Sequence, residues 1–233
     1  MAKKKLVFST GAGVSAESGI STFRDADGLW ENYPVMQVAS YEGFLRDPEL
    51  VHRFYNERRA ALLDALPNAA HKAIAELERD FDVEVITQNV DDLHERAGSS
   101  KVLHLHGELM KIRAVDDPGY IEEVTEETMV TSPSTRGKNG MPMRPHIVFF
   151  QEAVPNIEKA VEIVHEADIF VVIGTSLVVY PAAGLLQCVR PGTPIYYIDP
   201  RPASVAGIPD VTVIAEPATK GMVTLARLLH ADR

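Results

Sequence analysis

Two histidines form the part of this sequence best suited to proton transfer. His104 and His106 stand two residues apart in KVLHLHG, so they share one face if that run is a strand. Histidine can act as a base at neutral pH because its ordinary pKa is about 6.5. The pair could instead ligate a metal, with His94 as a third ligand, or be structural. Among these alternatives we favour a catalytic base.

Amide and carboxylate side chains follow a second apolar run. Val83–Thr87 is typical of a buried strand, and Gln88, Asn89 and Asp91 come directly after it. Open parallel sheets bind their ligands at the carboxyl ends of strands. These groups could therefore hold ribose hydroxyls or a carboxamide there. A turn that caps the next helix is the alternative.

A glycine turn follows the apolar run Leu6–Phe8. Gly11, Gly13 and Ala16 have the G-x-G-x-x-G/A spacing of dinucleotide-binding turns, in which a small third residue lets a helix pack on its strand. A diphosphate would lie over the free N–H groups at the start of that helix. Taken alone, the pattern also fits an ordinary strand-to-helix turn.

A similar pattern ends a later strand in IGTSLVVYP. Gly174 is followed by Thr175 and Ser176, whose hydroxyls could bind phosphate or ribose. A helix N-cap explains Ser176 equally well.

The elements around these residues alternate between strands and helices, which predicts an α/β fold with a Rossmann-like parallel sheet covered on both faces. The further strand candidates are Lys101–His106, His146–Phe150, Asp168–Gly174, Pro194–Asp199 and Val211–Ala215. The helical patterns are Asn68–Arg79, Asn156–Glu166, Pro181–Val189 and the closing run KGMVTLARLLH.

Two segments interrupt this alternation. Residues 30–67 are helix-like, and residues 111–143 are acidic and then rich in Ser, Thr, Pro and Gly. We predict that both form a small inserted module, and that residues 1–29, 68–110 and 144–233 form the Rossmann-like domain. No strand precedes TFRDADGLW, where a dehydrogenase would place its ribose-binding acid. A hydride-transfer enzyme is therefore disfavoured.

Bulk composition excludes several classes of protein. The net charge of −10 argues against binding a phosphate backbone, and Cys188 is the single cysteine. An intramolecular disulfide and a cysteine-rich zinc site are therefore excluded. No apolar run approaches the ~20 residues of a membrane span. We expect a cytoplasmic enzyme, a monomer, with no nucleic-acid or membrane partner.

Taken together, six motifs strongly resemble the sirtuin family of NAD-dependent protein lysine deacylases. They are GAGVSAESGI, TFRDADGLW, TQNVDDLHERAG, HLHGEL, RPHIVFF and IGTSLVVYPAA. They occur in the family's order and cover nearly the whole chain outside the 111–143 insert. The resemblance implies that NAD is consumed as a cosubstrate and that the partners are acylated lysine side chains of proteins.

The resemblance also implies a role for each matched residue. His106 is the general base, with Asn89 as the second catalytic residue. Phe23 and Arg24 belong to a loop over the nicotinamide ribose, and Ala218 lies near adenine. The full cofactor-binding set is Gly11, Ala12, Gly13, Ala16, Phe23, Arg24, Trp30, Gln88, Asn89, Val90, Asp91, Gly174, Thr175, Ser176, Asp199 and Ala218.

A local motif refines the expected substrate. Tyr55 and Arg58 share a helix face at i and i+3, which alone could be a packed tyrosine beside a solvated arginine. The same pair, with a small residue at Ala39, is similar to the subgroup that removes acidic acyl groups. The resemblance therefore implies desuccinylase and demalonylase activity, with weaker deacetylation.

Three positions depart from the family's pattern. The family usually carries four zinc-binding cysteines, whereas Ala114 stands where the first is expected and none of the four is present. We therefore expect a compact, zinc-free insert; partial disorder is the alternative. Gln151 replaces a usual glycine in a loop that flanks the substrate. Asp199 replaces a usual asparagine and can still accept from ribose hydroxyls, which favours NAD over NADP.

Two other functions use the same site. Protein ADP-ribosyl transfer would need NAD but no acyl substrate. A catalytically silent NAD- or ADP-ribose-binding module would need neither base nor substrate, and the presence of His106 with Asn89 and Asp91 argues against it.

Overall fold

The computed structural model describes residues 2–21, 29–30, 33–205 and 207–231, and for residues 29, 30 and 231 it describes the backbone alone. In this part of the chain eleven strands form. They are β1 (Lys5–Thr10), β2 (Leu29–Trp30), β3 (Tyr33–Pro34), β4 (Asp82–Thr87), β5 (Val102–His104), β6 (Gly107–Ala114), β7 (Ile121–Glu123), β8 (Met143–Ile147), β9 (Ile169–Ile173), β10 (Ile195–Ile198) and β11 (Val211–Ile214).

The same part of the chain holds seven α-helices. They are α1 (Val35–Val38), α2 (Tyr41–Arg46), α3 (Pro48–Asp64), α4 (Ala69–Glu76), α5 (Leu93–Ala97), α6 (Ile157–His165) and α7 (Ala218–Ala231). Four 3-10 segments accompany them, at Ala12–Val14, Ala16–Ser18, Leu77–Arg79 and Ala182–Cys188. In the residues described, no helix combines the length and apolar character needed to cross a membrane.

Six parallel strands form the central sheet, in the order β11-β10-β9-β1-β4-β5. Short runs rich in valine and isoleucine suit strands that are buried on both faces. The chain moves from β1 to β4 and β5, and later returns to β9 on the other side of β1. The strand order therefore reverses between β1 and β9. The predicted α/β fold with a Rossmann-like parallel sheet is confirmed.

Helices cover both faces of this sheet. On one face α4 and α7 pack against Leu6 and Phe8 of β1. On the other face α6 and the 3-10 segment Ala182–Cys188 pack against Val7 and Phe170. Successive strand residues point to opposite faces, so each central strand contributes to two cores. The helix predicted at 181–189 is thus a 3-10 segment instead of an α-helix.

The turn after β1 differs from the predicted start of a helix. Two 3-10 turns follow β1, and Ala16 is exposed instead of packed on that strand. Gly11 N–H and Gly13 N–H donate to backbone carbonyls at the end of β9, which holds the turn against that strand. These two N–H groups are therefore occupied, contrary to the expected free helix terminus.

The predicted strand His146–Phe150 does not belong to the central sheet. The observed strand β8 pairs with β6, and β6 with β7, in a separate antiparallel sheet. Gly107 explains the change of direction. It has a φ of +86°, and a Cβ there would lie 2.0 Å from the carbonyl oxygen of His146. The chain leaves the central sheet at this glycine, and the predicted strand Lys101–His106 accordingly ends at His104.

A third core lies beside the central sheet. Residues of α1, α2 and α3 pack with Leu93, Leu109, Ile147 and Phe149. The short strands β2 and β3 pair antiparallel, and β3 lies in the segment 30–67 that the sequence predicts to be helix-like. The division into a Rossmann-like domain and an inserted module stays a prediction.

Candidate active site

The ends of β1 and β9 bring two glycine segments into direct contact. Gly11 N–H donates to the carbonyl of Ile173 at 3.0 Å, and Gly13 N–H donates to that of Gly174 at 2.8 Å. A Cβ at Gly13 would lie 2.6 Å from the Cα of Gly174. Gly174 itself has a φ of +66°. Both glycine motifs are therefore required by the close approach of two strand ends at the switch point.

The end of β4 lies beside these two strand ends, and the space at the carboxyl edge of β1, β4 and β9 is called the crevice below. Gln88 N–H donates to the carbonyl of Thr10 at 2.9 Å, and its side-chain amide donates to Thr175 Oγ1 at 3.4 Å. The loops after β4 and β9 therefore meet over β1. Ser176 is half-buried in the loop after β9, and the 3-10 segment that follows begins after Pro181. Ser176 is thus not its N-cap.

A buried chain of hydrogen bonds joins Asn89, Ser15 and Asp91. The Asn89 amide donates to Ser15 Oγ at 3.1 Å, and the Ser15 hydroxyl donates to Asp91 Oδ2 at 3.1 Å. Burial raises the pKa of Asp91 to about 6, against the lowering effect of its hydrogen bonds from Leu93 N–H and Ser15. At neutral pH Asp91 is therefore a sheltered carboxylate that can accept from a ligand hydroxyl.

The sequence did not predict a second set of buried hydrogen bonds, which lies beneath the Asn89–Ser15–Asp91 chain. The Thr10 hydroxyl donates to Thr87 Oγ1 at 2.8 Å, and His94 Nε2 lies 3.1 Å from Thr10 Oγ1. His71 Nε2 lies 3.3 Å from Ser15 Oγ. Burial lowers the pKa of His71 to about 4 and that of His94 to about 3, so both rings are neutral at pH 7. The sequence signal available for these contacts was a threonine at the end of each of two apolar runs, Thr10 and Thr87, whose strands are neighbours in the sheet.

His106 is oriented by a backbone carbonyl. Its Nδ1 lies 3.0 Å from the carbonyl oxygen of Gln88. A carbonyl can only accept, so Nδ1 carries the proton and Nε2 keeps its lone pair. Burial lowers the pKa of His106 by more than the Gln88 carbonyl raises it. The ring is therefore neutral at pH 7 and able to take up a proton at Nε2.

The three histidines considered as metal ligands each have another role. His94 contacts Thr10, and His104 contacts Asn89 O and Glu95. Among the residues that the structure describes, no group of three or more His, Cys, Asp or Glu side chains is placed to hold a metal ion. The geometry favours the base over the metal alternative.

Comparison with known proteins identifies the family. Residues 11–181 match the sequence profile of the Sir2 family. The chain belongs to the Sir2 family. A protein of Bacteroides thetaiotaomicron named NAD-dependent protein deacylase is 55% identical over 97% of this chain and 98% of its own length. A Helicobacter pylori protein of the same name is 49% identical over 95% of this chain and 96% of its own length.

Solved Sir2 structures share the fold of this Sir2 protein. A Sir2 homologue bound to NAD superimposes with a TM-score of 0.87 at 41% identity, covering 99% of this chain and 91% of that one. A Sir2 variant with a deacetylated p53 peptide and 3′-O-acetyl ADP-ribose gives a TM-score of 0.82 at 30% identity, covering 97% and 94%.

The structure describes only some of the remaining cofactor candidates of this Sir2 protein. Phe23 and Arg24 lie outside the described residues, and Trp30 is described by its backbone alone. Ala12 opens the first 3-10 turn, and the Val90 carbonyl accepts from Leu109 N–H at 2.8 Å.

Two candidates lie after β10 and at the start of α7. Asp199 is buried, and its Oδ1 accepts from Arg201 N–H at 2.8 Å. Ala218 is buried in the core beneath α7. Both lie on the β9–β10 side of the switch point, away from His106.

The proposed acyl-binding residues come from α3 and the end of α1. Tyr55 is 0% and Arg58 5% exposed, so the solvated-arginine alternative is wrong. The Arg58 guanidinium lies 5.4 Å from the centre of the Phe54 ring, and the Tyr55 ring lies 6.0 Å from that of Phe149. Ala39 is also buried. A cation and a phenol are therefore held in a buried position beside aromatic rings.

The phenol of Tyr55 has no hydrogen-bond partner among the described residues, although it is fully buried. Burial raises the pKa of this phenol, so it stays protonated and can donate. A buried donor of this kind favours a ligand that carries an acceptor.

Gln151 occupies the loop after Phe149 and Phe150. Its φ is +77°, in the left-handed region that favours glycine, which agrees with the usual glycine of the family. Its side-chain carbonyl accepts from Glu42 N–H at 3.0 Å, at the start of α2. The side chain thus turns towards α2.

Hydrogen bonds that are buried or partly buried connect the 111–143 insert to α3. Asn56 Oδ1 accepts from Thr131 N–H at 2.9 Å, and the Asn56 amide donates to the Thr131 carbonyl at 2.8 Å. The fully buried Arg59 donates to the carbonyls of Leu109 and Met129. The same helix therefore carries both the predicted acyl-site residues and the residues that anchor the insert.

The residues of the insert do not fit the zinc site of the family. Ala114 is buried in an apolar cluster with Ile112 and Met143, where a methyl group cannot ligate a metal. Cys188 supplies the single thiol and lies in the 182–188 segment. The absence of zinc itself stays a prediction.

Proposed function

We propose that this Sir2 protein is an NAD-dependent protein-lysine deacylase that transfers the acyl group to ADP-ribose and releases nicotinamide. The observation that carries the proposal is the buried Asn89–Ser15–Asp91 chain at the carboxyl edge of the sheet, together with a neutral His106 that the carbonyl of Gln88, the neighbour of Asn89, orients. The names of the relatives and the NAD complex of a structural neighbour support it.

NAD would supply an electrophilic ribose carbon as nicotinamide leaves, and the acyl oxygen of the lysine substrate would be its nucleophile. His106 would accept a proton from a ribose hydroxyl at Nε2. This role suits a ring whose Nδ1–H is committed to Gln88 O and whose pKa is lowered by burial. One water would be consumed to break the amide C–N bond of the adduct, and the products would be free lysine, nicotinamide and an O-acyl-ADP-ribose.

Polar groups at three strand ends would bind the cosubstrate. Asn89 and Asp91 would hold the nicotinamide ribose and carboxamide, with Gln88 and Thr175 beside them. The close-packed glycine turn Gly11–Gly13 would leave room for the diphosphate because it carries no side chain larger than a methyl. Asp199 would accept from the adenosine ribose, and Ala218 would lie near adenine.

We further propose that acidic acyl groups are preferred, so that the protein removes succinyl and malonyl groups faster than acetyl groups. A buried cation and a phenol that has no hydrogen-bond partner among the described residues lie one helical turn apart and suit a carboxylate, since charge-assisted hydrogen bonds are about twice as strong as neutral ones. Burial of the small Ala39 nearby is consistent with a longer acyl chain.

One experiment tests both levels of the proposal. Acetyl-, malonyl- and succinyl-lysine peptides of one sequence are incubated with NAD, and the products are followed by mass spectrometry. We expect all three to be deacylated, the acidic acyl groups faster, with one O-acyl-ADP-ribose formed per lysine released. Labelled ADP-ribose found on protein would instead indicate ADP-ribosyl transfer, and no turnover would indicate a silent module.

A further inference from the structure

His104 and His106 hold the carbonyls of two consecutive residues. His106 Nδ1 lies 3.0 Å from Gln88 O, and His104 Nδ1 lies 3.0 Å from Asn89 O. The backbone hydrogen bonds between β4 and β5 end just before Gln88, with the bond from Leu105 N–H to Thr87 O at 2.9 Å. Beyond that point the two imidazoles take the place of backbone donors. They therefore fix the course of the chain after β4.

His104 has a second partner, which His106 lacks among the residues that the structure describes. Its Nε2 lies 2.8 Å from Glu95 Oε1, on α5. Both partners, a carbonyl and a carboxylate, accept hydrogen bonds, and only the imidazolium form can donate from both ring nitrogens. The ring is buried, whereas Glu95 is exposed at its outer side. A charged histidine is thus enclosed between a loop carbonyl and a helix carboxylate.

The charges around this ring favour the imidazolium. Burial alone would lower the pKa of His104, but Glu95, the Asn89 carbonyl and Glu108 of β6 together raise it above its usual value. The same pairing lowers the pKa of Glu95. Asp91 in the loop and the neutral His94 on α5 also face this ring.

Three polar groups of Asn89 are hydrogen-bonded: its backbone N–H, its backbone carbonyl and its side-chain amide. Its N–H donates to Thr87 Oγ1 at 3.1 Å, its carbonyl accepts from His104, and its side-chain amide donates to Ser15 Oγ. Loss of the His104 bond would leave a buried carbonyl without its donor and free the backbone to rotate. The amide of Asn89 would then no longer be held in line with Ser15 and Asp91.

We propose that His104 and Glu95 form a positioning pair that holds Asn89 in its cosubstrate-binding place. The inference rests on the proposed function for the role of Asn89. His104 does not touch the reacting atoms in this assignment. It acts through the Asn89 carbonyl, and Glu95 acts through His104.

The test is NAD binding by calorimetry without acyl peptide, together with steady-state kinetics. His104→Leu should weaken the Kd for NAD about tenfold or more, as expected when a buried acceptor loses its donor. The kcat at saturating NAD and the KM for the acyl peptide should stay within about threefold. If His104 had only a structural role, a smaller fraction of the protein would be active, but the Kd for NAD and the kinetic constants of the active protein would be unchanged. That result would overturn the inference.

Glu95→Ala provides a second, milder variant. It should weaken NAD binding about threefold, because the ring keeps one N–H for Asn89 but loses the support on its far side. The double variant should bind NAD no more weakly than His104→Leu alone, since the two residues act as a unit. If the double variant weakened NAD binding by the product of the two single effects, the pairing would be contradicted.

Lys101→Met is the matched control. Lys101 pairs with Asp82 at the opposite end of the same two strands, so its removal should leave NAD binding unchanged. Because the Kd for NAD does not depend on acyl chemistry, a wild-type protein that fails to deacylate peptides would contradict the proposed function alone. A wild-type Kd for NAD in His104→Leu would contradict this inference alone.

Discussion

The side-chain amide of Asn89 donates to the hydroxyl of Ser15 across 3.1 Å, which joins the loop after β4 to the loop after β1. Ser15 passes this bond on to Asp91, so one hydroxyl organises an amide and a carboxylate from the same loop. Asn89 and Asp91 are both buried. A ligand that enters the crevice therefore meets groups that are already oriented, which reduces the entropy lost on binding.

His106→Ala should abolish deacylation while NAD still binds. The base acts after the cosubstrate is in place, and general-base catalysis typically contributes about 10²–10⁴-fold. Turnover of the acyl peptide is measured together with the Kd for NAD. His165→Ala, at an exposed position on α6, is the control and should keep wild-type turnover. More than half of wild-type turnover in His106→Ala would refute the assignment of the base.

Arg58→Met should lower kcat/KM for succinyl-lysine by about tenfold or more, and leave that for acetyl-lysine unchanged or improved. A succinyl carboxylate can take a bidentate guanidinium contact, and charge-assisted hydrogen bonds are worth roughly 1.5–3 kcal/mol each. Lysine at this position is a weaker test, since it lacks the planar fork.

Arg53→Met is the control for this substitution, because Arg53 lies on the same helix with an exposed side chain. It should change neither activity. An equal fall in both activities for Arg58→Met would make Arg58 structural and end the acidic-acyl proposal. The broader deacylase proposal would survive that outcome.

Acid should destabilise the protein through four buried or half-buried histidines. The pKa values of His71, His52 and His146 are lowered to about 4 and that of His94 to about 3, in each case mainly by burial. The unfolded chain takes up these protons near its ordinary value of about 6.5, and the folded chain does not. Stability is therefore lost as pH falls below about 6.5. Asp91, whose pKa is raised to about 6, and His104, whose pKa is raised by Glu95, oppose this trend, but the four histidines with lowered pKa values outnumber them.

Urea unfolding at pH 7 and at pH 5.5 tests the contribution of His94. The fully shielded His94 should account for a loss on the order of 1 kcal/mol in the free energy of unfolding over this range. In His94→Gln, whose amide can still contact Thr10, the loss should be smaller by about that amount. His165→Gln should behave as wild type. An equal pH dependence in all three proteins would contradict this account.

A strong chelator should leave both the melting temperature and the activity unchanged. A tetrathiolate cannot form from Cys188 alone, and Ala114 fills its expected position with a buried methyl group. Elemental analysis should find far less than one zinc per chain. Stoichiometric zinc, with activity lost on its removal, would refute the zinc-free insert.

The sequence by itself determined the parallel sheet and most of the candidate site. Short apolar runs separated by helical patterns allow little but an α/β fold, and polar residues that follow such runs must lie at the carboxyl edge of the sheet. Gln88, Asn89, Asp91 and His106 were therefore predictable as a group, and the structure brings them to one crevice.

Only the tertiary structure decided what these residues contact and where the local rules fail. The turn after β1 is held by the end of β9, about 160 residues later, so local spacing could not reveal that Gly11 and Gly13 use their N–H groups there. Whether Arg58 is solvated depended on how α3 packs against the third core. The state of each histidine was likewise undecided, because its pKa follows burial and partners that local sequence does not reveal: Glu95 raises the pKa of His104 against the effect of burial, whereas burial lowers the pKa of His94 to about 3.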